Sequence, residues 1–279
     1  MDPYRRELGL NERSDPIVPP PLTSFDSESC ELVEDLCPAV VSFHFGLPAA
    51  DLVDRVRRAG AVILSSATTP AEAIWLEAHG CNVVIAQGSE AGGHRGMFLE
   101  NDPARQFGTM ALVPLVVDAV EIPVVAAGGI ADARGVAAAL ALGASGVQIG
   151  TGYLRCPENT ISPLHRAALE DNSAPTVLTN VFTGRPARSI VTRVVEELGP
   201  IAQDIAPFPL PTPAMLPLRA AAERRGLTDF TPLWSGQAAA LGRAVAAGDL
   251  TRSLATGALD ILHGAASRSS WDRPRTETR

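Results

Sequence analysis

The sequence predicts an α/β fold: a parallel sheet with helices on both faces. Three observations carry that expectation. From Pro38 to Gly152, short apolar runs alternate with alanine-rich amphipathic segments, the order expected of successive βα units. The apolar runs are continuous rather than alternating, as suits strands covered on both faces. Aromatic residues make up only 5% of the chain while alanine is abundant, which favours small-residue helix packing over a β-sandwich.

Residues 1–37 read as an irregular, proline-rich N-terminal segment. DPIVPPPL (15–22) holds four prolines, and SFDSESCELVEDL (24–36) is short, acidic and at most partly helical. Strands are expected at 39–46, 61–68, 82–88, 122–129 and 146–151. Between them come helices at Ala49–Ala59, Pro70–Ala78, Thr109–Ala119 and Asp132–Leu142. Residues 38–155 therefore form the βα region. Residues 156–267 are a helical C-terminal region with one extended stretch at 176–184 and helices near Pro213–Arg225, Leu233–Ala247 and Leu250–Ala266. The polar tail 268–279 is expected to be disordered.

Composition narrows the function. The formal net charge is −8, which argues against nucleic-acid and anionic-membrane partners. The chain contains no lysine, so Schiff-base chemistry and a Walker lysine are excluded. Four irregularly spaced cysteines form no CxxC pair, and five histidines show no metal-ligand spacing, so no metal is expected. The opening residues carry no apolar signal segment and no run can span a bilayer, consistent with a cytoplasmic location.

Polar and glycine-rich residues gather at the C-terminal ends of the strands, where both α/β barrels and open doubly wound sheets place ligands. No GxGxxG follows a strand, which argues against a Rossmann site. The densest cluster is QGSEAGGHRG (87–96), whose glycines let backbone approach a ligand beside a carboxylate, a histidine and an arginine. AAGGIAD (126–132) and QIGTGY (148–153) are strand-to-glycine turns suited to a phosphate. His44, in VSFHFG, is a further candidate, whereas His79, His165 and His263 read as structural or exposed.

VVSFHFGLP, LSSATTPAEA, QGSEAGGHRG, VVAAGGIADARG and QIGTGYL resemble, in order and spacing, the nitronate monooxygenases, FMN-dependent α/β-barrel enzymes. The resemblance continues through FTGRPAR (182–188) and LWSGQAAA (233–240) and covers roughly 38–266. It implies a TIM (β/α)8-type barrel and oxidation of alkyl nitronates with O2 to a carbonyl compound and nitrite. It also implies site roles. Gln87 and Gly92 would contact FMN, and Gly128, Gly129, Gln148, Ile149, Gly150 and Thr151 would hold its phosphate. His94 would be the catalytic base, or a protonated anion binder, with a near-neutral pKa, and His44 a second active-site imidazole.

The family's relatives begin with three further βα units that also touch FMN, so the resemblance implies a barrel of about five strands out of eight. Exposed parallel edges then argue for a homo-oligomer or another pairing partner. Two alternatives share some of these motifs: a flavin-dependent NAD(P)H reductase of the enoyl type, and a partner-dependent fragment that is inactive alone.

Overall fold

The computed structural model describes residues 1–10 and 24–268, with side chains as far as Gly264. DPIVPPPL and the 268–279 tail therefore fall essentially outside the described residues. The chain opens with helices α1 (Asp2–Glu7) and α2 (Ser27–Leu36). There follow β1 (Val40–Phe43), α3 (Ala50–Arg58), β2 (Val62–Ala67), α4 (Pro70–Ala78), β3 (Val83–Gln87) and a two-residue β4 (Gly93–His94). Next come α5 (Thr109–Val117), β5 (Val124–Ala127), α6 (Ala133–Ala141), β6 (Gly146–Gln148) and the single turn α7 (Thr151–Leu154). The C-terminal region comprises α8 (Pro163–Glu170), β7 (Thr176–Thr179), β8 (Ala187–Ile190), α9 (Arg193–Leu198), α10 (Thr212–Glu223) and α11 (Ala247–Arg268).

All five expected strands pair in one parallel sheet of order β1-β2-β3-β5-β6. The registers Val41↔Ile63, Ile85↔Val125 and Ala126↔Val147 put every C-terminal strand end on the same rim. Val84, Ile85 and Ala86 are fully buried, whereas the edge residue Val40 is half exposed. The sheet is open among the described residues.

Local chemistry explains the helices. Thr69 caps α4 by accepting from Glu72 N, with Pro70 at the first helical position, and Asp132 caps α6 by accepting from Arg134 N and Gly135 N. Helix α11 packs along α6, so Leu250, Leu254 and Ala258 join the core that includes Val84, Leu112 and Ala126. A second core, around α10, takes in Phe230, Val194 and Leu8 at the end of α1.

The N-terminal segment corrects the irregular reading of 1–37. Asp26 caps α2 through Ser29 N, and Cys30 and Val33 pack on Leu52, Val53 and Val56 of α3 while the acidic residues stay outward. Glu34 locks that packing with a two-point ion pair to Arg55, both bonds 2.8 Å long. A second correction concerns Leu233–Ala247, which is not a helix. Leu233 O accepts from Ile190 N and Ser235 N donates to Arg188 O, so this backbone extends the antiparallel sheet β4-β8-β7, and only Ala239–Leu241 makes a 3-10 turn. The stretch at 176–184 is strand only to Thr179.

Candidate active site

The loop from β3 to β4 is held from behind. Gln87 Oε1 accepts from Gly96 N at 2.8 Å, and its Nε2 donates to His94 O at 3.0 Å, so one side-chain amide spans the loop. Arg95 is completely buried and donates to the carbonyls of Gln87 and Gly88 and to Gln106 Oε1. Arg188 Nε donates to Ser89 O at 2.8 Å. Three successive carbonyls are thus drawn to guanidinium groups. Burial, and then the Arg188 charge, bring the Arg95 pKa down to about 10, so Arg95 remains a cation at neutral pH. Glu90, on the same loop, accepts from Thr109 N and Thr109 Oγ1 at 2.9 Å, and so caps α5 and pins the loop to it.

The structure brings His44 and His94 together although 50 residues separate them. His44 Nε2 lies 3.3 Å from His94 O and its Nδ1 lies 3.1 Å from Ser66 Oγ. That pattern assigns the proton to Nε2, with Nδ1 accepting from the serine hydroxyl. Both ring nitrogens are therefore engaged by protein, which suits a positioning role for His44. His94 Nε2 meets Thr183 Oγ1 at 2.9 Å, leaving Nδ1 without a protein partner among the described residues. Its ring sits among Trp234, Phe208 and Phe45, with centroids 5.3, 5.8 and 6.1 Å away. Burial above all, then the charges of His44 and Arg185, lower the His94 pKa to about 4, and burial also lowers that of His44. A value of about 4 lies below the near-neutral one expected of His94, because desolvation among aromatic rings disfavours the imidazolium.

Beside the imidazoles, the β5 and β6 ends enclose a cleft of about 110 Å³, room for a phosphate-sized group. Gly128 (φ +108°) and Gly129 (φ +70°) turn the chain through conformations that side chains disfavour. A Cβ on Gly92 would lie 2.5 Å from Gly236 N, so the two loops meet backbone to backbone. Gln148, Gly150 and Thr151 line the opposite wall. Three features show how these residues could serve an anion. The N-terminus of α6 is already closed by Asp132, so an anion here would meet the amides of the Gly128–Ala131 turn instead. Thr151 Oγ1 accepts from Gly236 N at 2.9 Å. The Ile149 side chain packs into the core beside Val136 and Tyr153, which leaves only its backbone for the cleft.

Sequence reasoning missed Thr183, Arg185, Phe45 and Phe208. Arg185 stacks over the Phe45 ring at 3.9 Å, and its Nη2 donates to Met97 O at 2.9 Å. Phe45 has φ +68°, a left-handed conformation that costs a bulky residue about 1–2 kcal/mol. FTGRPAR carried the signal, but nothing in its spacing told that the β7–β8 connection returns to His94. His79 and His165 have local partners instead: the His79 ring stacks on Trp75, and His165 Nε2 meets Trp234 O.

Comparison with known proteins places this geometry. Residues 10–257 match the family described as nitronate monooxygenase. The nitronate monooxygenase of Pseudomonas aeruginosa is 45% identical over 219 residues, covering 78% of this chain and 62% of that protein. A probable nitronate monooxygenase of Staphylococcus saprophyticus is 37% identical over 266 residues, covering 94% and 74%. Among solved structures, the nitroalkane oxidase of Streptomyces ansochromogenes superposes with a TM-score of 0.79 at 42% identity, covering 85% of this chain and 69% of that one. FabK of Thermotoga maritima gives 0.70 at 26% identity, covering 88% and 76%. The chain thus spans under two thirds of the Pseudomonas protein's length. Its five parallel strands correspond to part of a (β/α)8-type arrangement.

Proposed function

The chain belongs to the nitronate monooxygenase family, and from that membership we propose that it serves FMN-dependent oxidation of alkyl nitronates by O2 to a carbonyl compound and nitrite. The observation that carries the reading is the meeting of His94, His44 and Thr183 beside a glycine-walled cleft. The residues present fit FMN. The cleft is phosphate-sized, a Cβ at Gly92 would clash with the facing loop, and two buried guanidiniums stand behind the wall. The turn Gly128–Ala131, with Gln148, Gly150 and Thr151, would hold the phosphate, and Gln87 and Gly92 would contact the ring system. FMN, when bound, supplies electron transfer between the nitronate and O2.

The protein's part is to bind and orient an anion in a dry aromatic setting. A His94 that is neutral at physiological pH is a weak base, poorly matched to drawing a proton from a neutral nitroalkane. Nδ1 is the ring nitrogen left to meet the substrate. Thr183 Oγ1 lies 2.9 Å from Nε2 and 3.3 Å from Arg185 O, and donation to Nε2 is the arrangement that would put the His94 proton on Nδ1 for a nitronate oxygen. His44 holds the His94 backbone in place.

The test is nitrite release from a primary alkyl nitronate by the chain supplied with FMN. His94→Ala should lower kcat/KM for nitronate roughly 10–100-fold, the worth of one hydrogen bond to a charged group. Unchanged kcat/KM would remove His94 from the mechanism. A loss confined to neutral nitroalkanes would restore its role as base. NAD(P)H oxidation with an enoyl thioester, and no nitrite from nitronate, would select the reductase alternative.

A further inference from the structure

His94 O is met both by Gln87, which lines the glycine cleft, and by His44, which lines a second, larger cavity. This cavity measures about 890 Å³ and is lined by Phe25, Phe43, His44, Phe45, Phe208 and Arg185. Four phenylalanine rings and one guanidinium stand out in a lining that also holds the carboxylates of Asp26, which caps α2, and Asp51, in the first turn of α3. The guanidinium is the informative member. Arg185 lies over Phe45 at 3.9 Å and within 5.9 Å of the Phe208 centroid, yet pairs with no carboxylate among the described residues. Its only described acceptor is Met97 O, which takes one of the two terminal nitrogens. Nε and Nη1 keep their donors for a ligand.

The surroundings hold this cation in place. Thr183, two residues earlier, ties the same segment to His94, and Arg185 N reaches the Thr183 hydroxyl. Phe45 keeps a strained left-handed backbone that lays its ring under the guanidinium, and strain of this kind gathers where a geometry is needed. Both imidazoles feel the Arg185 charge. Burial disfavours the charged form of each imidazole, so the guanidinium is the group suited to neutralise an anion. A planar guanidinium matches the two oxygens of a planar O–N–O or O–C–O group, which a point charge does not.

We propose that Arg185 recognises the anionic head of the substrate beside His94, and that the aromatic cavity takes an aryl or branched apolar tail. The substrate class is then nitronates with a bulky apolar substituent rather than the smallest alkyl nitronates. This inference rests on the nitronate reading and adds the group that selects the substrate.

Benzoate tests it without redox chemistry, because its carboxylate reproduces the planar head and its ring the tail. Calorimetric titration of the chain with FMN present should show benzoate binding. Acetate should bind at least tenfold more weakly for want of a tail. Arg185→Met should weaken benzoate roughly 10–100-fold, Arg185→Lys should recover part of the loss, and neutral benzamide should bind both proteins equally. FMN affinity should stay the same in all three proteins, which separates a lost contact from a lost fold. Equal benzoate affinity in wild type and Arg185→Met would overturn the head-group assignment, and acetate binding as tightly as benzoate would overturn the tail. If benzoate behaves as expected but no nitronate yields nitrite, the anion site stands and the nitronate reading falls. If nitrite is released while benzoate ignores Arg185, only this inference falls.

Discussion

His94 shows how a side chain can be visible in the sequence while the surroundings that set its chemistry are not. Its position after a buried strand, among glycines, marked it as a site residue, and so did that of His44. The chemistry of its ring depends on Trp234, Phe208 and Phe45, which lie 140, 114 and 49 residues away, and no local pattern reports them. The depressed pKa makes a stability prediction. The unfolded chain binds a proton near pH 6.5 and the folded one only near 4, so protonation favours unfolding across that window. Lowering the pH from 7 to 4 should cost about 3 kcal/mol from this residue, and His94→Phe should remove most of that slope in urea unfolding. An unaltered slope would mean that the ring is better solvated than its aromatic surroundings imply. Glu72 was not singled out at all, because a helical glutamate is normally a surface residue. It is fully buried and accepts from Thr68 N, Thr68 Oγ1, Phe98 N and Leu99 N. Glu72→Ala strands those donors and should cost about 3 kcal/mol or more, read from the midpoint of denaturant unfolding.

Elements were legible where their signals were local. Helix α4 spans Pro70–Ala78 as expected, with Thr69 capping its start, and β1, β2, β3, β5 and β6 each fall within an expected apolar run. Elements set by distant partners were not. Residues 24–36 read as acidic and at most partly helical, but the apolar stripe of α2 finds α3, and residues 233–247 look helical until β8 recruits the backbone at Leu233 and Ser235. Capping gives a modest test of α2: Asp26→Ala should lower stability by about 1 kcal/mol. The β3–β4 loop gives a sharper one. Gly92→Ala places a methyl group 2.5 Å from Gly236 N, so the loops must part and the cleft must open. FMN affinity should fall at least tenfold while far-UV circular dichroism stays nearly unchanged, since the methyl meets loop backbone at Ser235 and Gly236 and only the Thr151 side chain at the start of the one-turn helix α7.

At the scale of the whole molecule, the main parallel sheet is open, and its two edges, β1 and β6, have no further strand among the described residues. Leu36, Val40 and Val62 are exposed around the β1 edge, at 76, 50 and 42%. An unpaired strand beside an apolar patch invites another chain. Sedimentation should therefore show concentration-dependent association, and Val40→Lys should weaken it; a monomer at every concentration would contradict this reading of the edge. The same sheet carries the central claim, that these five strands and the loops above them form a flavin site. The direct measurement is gel filtration of the chain after addition of FMN, followed by its visible spectrum. Flavin bands that travel with the protein at near one FMN per chain are the predicted result. A colourless protein, with all the FMN in the small-molecule fraction, would contradict the account.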